Sequence, residues 1–281
     1  MSNSLLAPVD LDVFRRTKRT AEQAEVPSSI PHAPSSILHG GDAVKNDQAG
    51  GWGDKDWWGT LAFAAQELTI EKEVAQNAFE WRTYQDALLS CNHVLARLDA
   101  GVPNVDTISS AQSGQHGVLA DFLPVTDQSI RPVDVAIARL NHGQAAEFGV
   151  IRGLGPIKGI RQPTDHNGGF RIFKYGAKTG LTAGVDVGWK RNLYMTAYGS
   201  RTVSLRKTST DFADVHDSGA AVLDEHRNVI GIIVSGRING NSRKNPSYYF
   251  PLVPLDEAPS LPGGVRHNAM YLKIGVTGLQ P

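Results

Sequence analysis

The sequence has little cysteine, no excess of either charge and no long hydrophobic run. Its 281 residues include one cysteine, Cys91, so an internal disulfide is excluded and nothing requires an oxidising compartment. Its 28 Lys and Arg balance 28 Asp and Glu, whereas a nucleic-acid surface needs clustered positive charge. No stretch of about 18 consecutive apolar residues occurs, and the apolar run after Met1 is too short for a secretion signal. We therefore predict a cytoplasmic protein without a membrane or nucleic-acid partner.

The first 50 residues differ in composition from the rest of the chain. Residues 26–37 are rich in proline and serine, and such a segment offers few backbone donors and few core side chains. Residues 10–24 could form one short helix with four basic side chains, either a solvated face or a site for an acidic partner. We predict a flexible tether over residues 1–50, able to bind an activating or recruiting protein, with order beginning near Trp52.

Beyond the tether, short strand-like segments alternate with turns rich in Gly, Asp and Asn. Residues 133–140 alternate with a period of two, and residues 229–234 are almost entirely apolar, as in a strand buried on both faces. Residues 68–78 fit either a helix or a strand, and a second helix is expected near residues 95–100. Many short strands predict an all-β protein built from barrels or sandwiches.

A glycine-rich connector over residues 149–169 lies near the middle of this region. We place the domain boundary there, with a first β domain over residues 51–160 and a second over residues 161–281.

Three reactive side chains each follow or begin a strand-like segment: His93, Asp134 and Ser218. A serine hydroxyl is a poor nucleophile at neutral pH and needs a base within reach, and that base needs an acceptor that fixes its tautomer. Each residue also has a plain structural interpretation. His93 could be a hydrogen-bonded core histidine and Ser218 a turn residue, whereas Asp134 in an apolar strand is harder to explain without a partner.

The order and context of these residues resemble the trypsin-like (chymotrypsin-fold) serine peptidases, especially the disulfide-free intracellular type. The matching segments are Ser90–Val94 around the histidine, Asp134–Ala138 around the acid and His216–Gly219 around the serine. They are spaced by 41 and 84 residues. Residues 174–184 also look like the Gly- and Thr-rich opening of the family's second barrel, and the resemblance spans roughly residues 57–256.

The resemblance implies two six-stranded antiparallel Greek-key barrels, with the active site in the cleft between them. Ser218 would be the nucleophile, His93 the general base and Asp134 the group that orients His93. The backbone N–H groups of His216 and Ser218 would form the oxyanion hole. Counting back six residues from Ser218 places Phe212 at the substrate-binding pocket, although loop lengths vary and Asp211 or Asp214 could take that place instead. Ser235 and Gly236 would bind substrate on an edge strand that pairs with its backbone.

No cofactor or metal is expected. The nine histidines form no H-E-x-x-H motif and have no C-x-x-C partner, so the sequence gives no support for a zinc site. The expected partner is a protein or peptide substrate, hydrolysed through an acyl-enzyme.

Two positions depart from the family pattern. His216 replaces a glycine in the oxyanion hole, which suggests that this peptide is misaligned until a substrate or partner corrects it. Asp217 needs a partner other than the inserted N-terminus of secreted members. Two other functions stay open: a non-catalytic module that binds peptides, and a processing protease that cleaves its own tether.

Overall fold

The computed structural model describes residues 37–49, 58–75, 78–111, 114–122, 134–161, 163, 168–195, 201–235, 246–252 and 271–273. The chain divides into two compact units, Met1–Pro34 and Ser35–Pro281, and the first lies outside the described residues. Among the residues that are described, no helix is long and apolar enough to cross a membrane.

The described part is almost entirely β-structure with one short helix, α1 (Asn92–Leu95). The strands, in chain order, are β1 (Ile37–Gly40), β2 (Ala43–Asn46), β3 (Gly59–Thr60), β4 (Phe63–Ala75), β5 (Ala78–Ser90), β6 (Thr107–Ser110), β7 (Gly114–Phe122), β8 (Ala136–Leu140), β9 (Ala145–Ile151), β10 (Gly155–Pro156), β11 (Gly159–Ile160), β12 (Arg171–Gly176), β13 (Gly180–Met195), β14 (Arg201–Thr210), β15 (Ala221–Asp224), β16 (Asn228–Ser235), β17 (Pro246–Pro251) and β18 (Tyr271–Lys273).

These strands form two sheets. The N-terminal sheet curls in the order β1-β9-β4-β5-β8-β7-β6-β2-β3, with β10 on β9 and β18 on β4. The C-terminal sheet runs β11-β16-β15-β12-β13-β14-β17, and pairing of β16 with β17 closes six antiparallel strands into a barrel. The predicted all-β, two-barrel fold class is confirmed, with the first barrel present as a curled sheet.

Apolar side chains explain where the strands are buried. In β16, Val229, Ile230, Ile232 and Ile233 are all fully buried, as the continuous apolar run predicted. One core cluster joins side chains of the N-terminal sheet to Ala221, Leu223, Val229 and Ile232 of the C-terminal sheet. The two sheets therefore share an apolar contact, and the elements that carry the candidate site lie beside it.

The structure corrects two sequence-based expectations and resolves one that the sequence left open. Order begins before Trp52, because β1 and β2 lie within the predicted tether and bury Leu38 and Val44 in the core. Residues 68–75 extend β4 because cross-strand pairing with β5 prevails over the ambiguous local pattern. Helix α1 ends at Leu95, since positive φ angles at residues 97–99 cannot continue a helix. The rest of the predicted tether, residues 1–36, lies outside the described residues.

The last strand also differs from the predicted division of the chain. Strand β18 falls in the range assigned to the second barrel, yet it pairs with β4 in the N-terminal sheet. The domain boundary near residue 160 otherwise stays a prediction.

Candidate active site

His93 and Asp134 are held together by two hydrogen bonds. The backbone N–H of His93 donates to Asp134 Oδ1 at 3.0 Å, and the His93 ring Nδ1 lies 2.5 Å from Asp134 Oδ2. The pairing of β5 with β8 explains this contact. Strand β5 leads directly into α1, which carries His93, and β8 begins just after Asp134. The Asp134 side chain is fully buried and that of His93 is 14% exposed. An Nδ1–H directed at the carboxylate leaves Nε2 as the ring's acceptor atom.

Ser218 lies in the loop between β14 and β15. Its Oγ donates to the carbonyl oxygen of Val234, near the end of β16, at 2.8 Å. Its own carbonyl accepts the backbone N–H of Thr60 at 2.7 Å. In this arrangement the single hydroxyl proton of Ser218 therefore points to Val234 and not to His93.

Gly219 brings the serine loop directly against the segment that carries His93. Its φ is +96°, and a Cβ there would lie 2.1 Å from Ser90 Oγ and 2.1 Å from the Thr60 carbonyl oxygen. Only glycine fits such a backbone conformation and such a close approach. Because Ser90 is three residues before His93, the Asp-Ser-Gly turn packs onto the end of β5.

Cys91 lies next to the same carboxylate. The ring of His93, the carboxylate of Asp134 and the Cys91 sulfur each place a potential ligand atom within 4.8 Å of the others. Burial raises the pKa of the Cys91 thiol well above its ordinary value, and the nearby negative charge of Asp134 acts in the same direction. The thiol also donates to the carbonyl oxygen of Ile233 at 3.2 Å. Metal binding and nucleophilic attack require a thiolate, so Cys91 acts here as a buried, neutral donor.

Two backbone donors beside Ser218 make no hydrogen bond within the described part of the chain: the N–H groups of His216 and Ser218. Both residues are half-buried, and Asp217 separates them in the chain. His216 has a φ of +78°, in the left-handed region that glycine occupies without strain.

Asp217 is neutralised by Lys174 of β12. The Lys174 Nζ lies 3.1 Å from Asp217 Oδ2, and both side chains are fully buried. The carboxylate also accepts the backbone N–H groups of Asp214, Lys178 and Thr179 and the Thr179 hydroxyl. Burial lowers the pKa of Lys174 below its ordinary value, and the charge of Asp217 opposes that change.

Sequence reasoning predicted that Asp217 needs a partner but did not identify Lys174. The segment Lys174-Tyr-Gly176 packs directly against Asp217, since a Cβ at Gly176 would lie 2.2 Å from Asp217 Oδ1. A lysine two residues before a glycine of this kind gives no indication from sequence that its side chain is buried.

The predicted substrate-binding residues have separate outcomes. Phe212 is fully buried in the core of the C-terminal barrel, beside Ile172 and Ile230, so a substrate could contact it only after the loop moved. Ser235 ends β16 and pairs with Tyr248, whereas Gly236 lies outside the described residues. A role for Ser235 and Gly236 in binding substrate stays a prediction.

Neither a protein-family model nor a curated protein matches the chain. Solved structures do match. Protease A of Thermobifida fusca is 15% identical with a TM-score of 0.51, and the match covers 85% of this chain and 100% of that one. The Nocardiopsis protease NAPase is 18% identical with a TM-score of 0.50, and the match covers 76% of this chain and 92% of that one. The chain therefore has the chymotrypsin-like serine protease fold, as the resemblance implied.

Proposed function

We propose that the chain is a serine endopeptidase that hydrolyses peptide bonds of a protein or peptide substrate. The observation that carries the proposal is the buried Asp134 carboxylate bonded to both the backbone N–H and Nδ1 of His93. This contact fixes one imidazole tautomer and stabilises the imidazolium that forms when His93 accepts a proton. An acyl-transfer site also needs a nucleophile and donors for the oxyanion, and Ser218 with the N–H groups of His216 and Ser218 would supply them.

The reaction begins when the Ser218 hydroxyl turns from the Val234 carbonyl to Nε2 of His93. Ser218 Oγ attacks the substrate carbonyl carbon while His93 accepts the hydroxyl proton. The N–H groups of His216 and Ser218 bind the oxyanion of the tetrahedral intermediate. His93 then gives its proton to the leaving amine, and water releases the acyl group from Ser218 by the same steps in reverse order.

The contact between Ser218 and Val234 supports a latent resting state. In this state the hydroxyl is bound to Val234, and a rotation of the Ser218 side chain would turn it toward His93, since side-chain rotamers interconvert readily. A substrate strand that pairs with the end of β16, or a partner protein that binds residues 1–50, would favour the rotated position. This activation, the partner and the cytoplasmic location belong to the proposal.

Covalent labelling with a fluorophosphonate, followed by intact mass, tests the proposal. The wild-type protein should gain one adduct, and Ser218→Ala and His93→Ala should gain none. His226→Ala is the matched control, since His226 lies in the turn between β15 and β16 and its side chain is 68% exposed. An adduct of equal yield on Ser218→Ala would contradict the assignment of the nucleophile.

A peptide-binding module without catalysis is the second candidate. The Ser218 hydroxyl bond to Val234 favours it, because a serine in that position is not activated. A folded wild-type protein that gains no adduct, alone or with a substrate peptide, would support this module and exclude the peptidase.

A further inference from the structure

His216 adopts a backbone conformation that its side chain disfavours. At a φ of +78°, the β-carbon of a residue crowds its own backbone. Such a residue persists only where surrounding contacts hold it in place. The contacts that hold His216 therefore bear directly on Ser218, two residues further along the chain.

Three hydrogen bonds join residues 216–218 to strand β3 of the N-terminal sheet and to Trp58, the residue directly before it. The His216 ring Nδ1 lies 2.9 Å from the carbonyl oxygen of Trp58. Thr60 Oγ1 donates to the His216 carbonyl oxygen at 2.8 Å, and the Thr60 backbone N–H donates to the Ser218 carbonyl oxygen. Thr60 itself is fully buried, so its position is well defined.

The contact with Trp58 fixes the tautomer of His216. A carbonyl oxygen can only accept, so Nδ1 carries the proton, both in the neutral ring and in the imidazolium. Ring Nδ1 and the carbonyl of His216 are thus both bonded, whereas its backbone N–H has no acceptor among the described residues.

We propose that the imidazole of His216 is a positioning group for its own backbone N–H. The bond to the Trp58 carbonyl holds the left-handed conformation, and that conformation directs the N–H at the oxyanion of the reacting substrate. The inference rests on the proposed function, because an oxyanion forms only if Ser218 attacks a carbonyl. A glycine reaches this conformation without help, whereas this chain relies on a side-chain bond to the other sheet.

Three substitutions at position 216 separate the imidazole bond from backbone freedom. His216→Ala removes the bond and keeps the β-carbon, and His216→Gly removes both the bond and the strain. His216→Asn keeps a donor, because asparagine tolerates the left-handed region and its amide can reach a nearby carbonyl. His226→Ala again serves as the control for loss of an exposed imidazole.

The measurements are the rate of Ser218 labelling by a fluorophosphonate and kcat and KM for hydrolysis of p-nitrophenyl acetate, with thermal unfolding as the check on folding. Loss of one oxyanion donor lowers kcat by about 10²- to 10³-fold, so we expect a loss of at least tenfold for His216→Ala. His216→Gly should stay close to the wild-type rate, because glycine adopts this conformation without the side-chain bond. KM should stay within about twofold, and His216→Asn should recover most of the rate. A His216→Ala variant as fast as the wild-type protein would overturn the inference.

Crystal structures of the wild-type protein and of His216→Ala test the same inference without activity. We expect residue 216 to leave the left-handed region in the Ala variant. A φ that stays near +78° would overturn the role of the imidazole, even if the wild-type protein labels normally. Failure of the wild-type protein to label would instead overturn the proposed peptidase, while the φ at residue 216 would still decide whether the imidazole holds this backbone.

Discussion

Replacing Asp217 by asparagine tests the buried ion pair that fixes the loop of Ser218. The substitution keeps the shape of the side chain but leaves the Lys174 ammonium buried without its counter-charge. An asparagine Oδ1 can still accept the N–H groups of Lys178 and Thr179, whereas its NH₂ group cannot accept the bonds that Oδ2 receives from Asp214 and the Thr179 hydroxyl. Removing one member of a buried pair costs about 3–5 kcal/mol, and we expect Asp217→Asn to lose that amount of unfolding free energy.

Urea unfolding followed by circular dichroism measures the loss, and the double variant Lys174→Met/Asp217→Asn is its control. Replacing both charges of a buried pair by uncharged groups is often neutral, so the double variant should recover part of the stability. A loss below about 1 kcal/mol for Asp217→Asn would refute the reasoning, because exposed pairs contribute no more than that.

The same variant has a defined pH dependence. Burial lowers the pKa of Lys174, while Asp217 opposes that change, so removing Asp217 lowers the pKa of Lys174 further. At a pH between the lowered pKa of Lys174 in the folded protein and its ordinary value, the unfolded chain binds more protons than the folded one. The free energy of unfolding therefore rises with pH in this range. That range begins at a lower pH in Asp217→Asn, so the difference in unfolding free energy from the wild-type protein should narrow as pH is raised toward the lysine range. A difference that widens would contradict the assignment of Lys174 as the buried cation.

Three further outcomes follow from the site. Asp134→Asn should lower kcat by about 10⁴-fold with the fold intact, because an amide reverses the tautomer of His93; p-nitrophenyl acetate hydrolysis measures it. Gly219→Ala should unfold at lower urea than Gly143→Ala, since both have positive φ but only Gly219 lacks room for a Cβ. Equal midpoints would contradict the close packing. Cys91 should react with a maleimide only after unfolding, because its thiol is buried and neutral, and modification of the folded protein would refute this.

The candidate catalytic residues were easier to predict than the residues that hold them in position. His93, Asp134 and Ser218 stand in short segments whose residue types match their strand and turn contexts, so the pairing of His93 with Asp134 could be expected. Lys174 could not, because its burial depends on a carboxylate 43 positions further along the chain. Phe212 was placed by counting back from Ser218, and a count along the chain does not determine which way a side chain points.

Strands β1 and β2 were missed for a related reason. Each has four residues and follows a proline-rich segment, so neither shows enough alternation to predict a strand. Their stability comes from pairing with distant strands, β9 for β1 and β6 for β2. Short strands of this kind depend on tertiary contacts that a single sequence does not display.

Thr60 shows why the candidate site depends on both sheets at once. Its backbone N–H, hydroxyl and carbonyl contact Ser218, His216 and Ser90 in turn, and its hydroxyl also accepts the backbone N–H of Ala177. The N-terminal sheet thus fixes the backbone on both sides of Asp217, while Lys174 of the C-terminal sheet fixes its carboxylate. Neither set of contacts alone defines the position of Ser218, because each holds a different part of the same turn. Loosening either sheet should therefore reduce labelling of Ser218 before the protein unfolds as a whole.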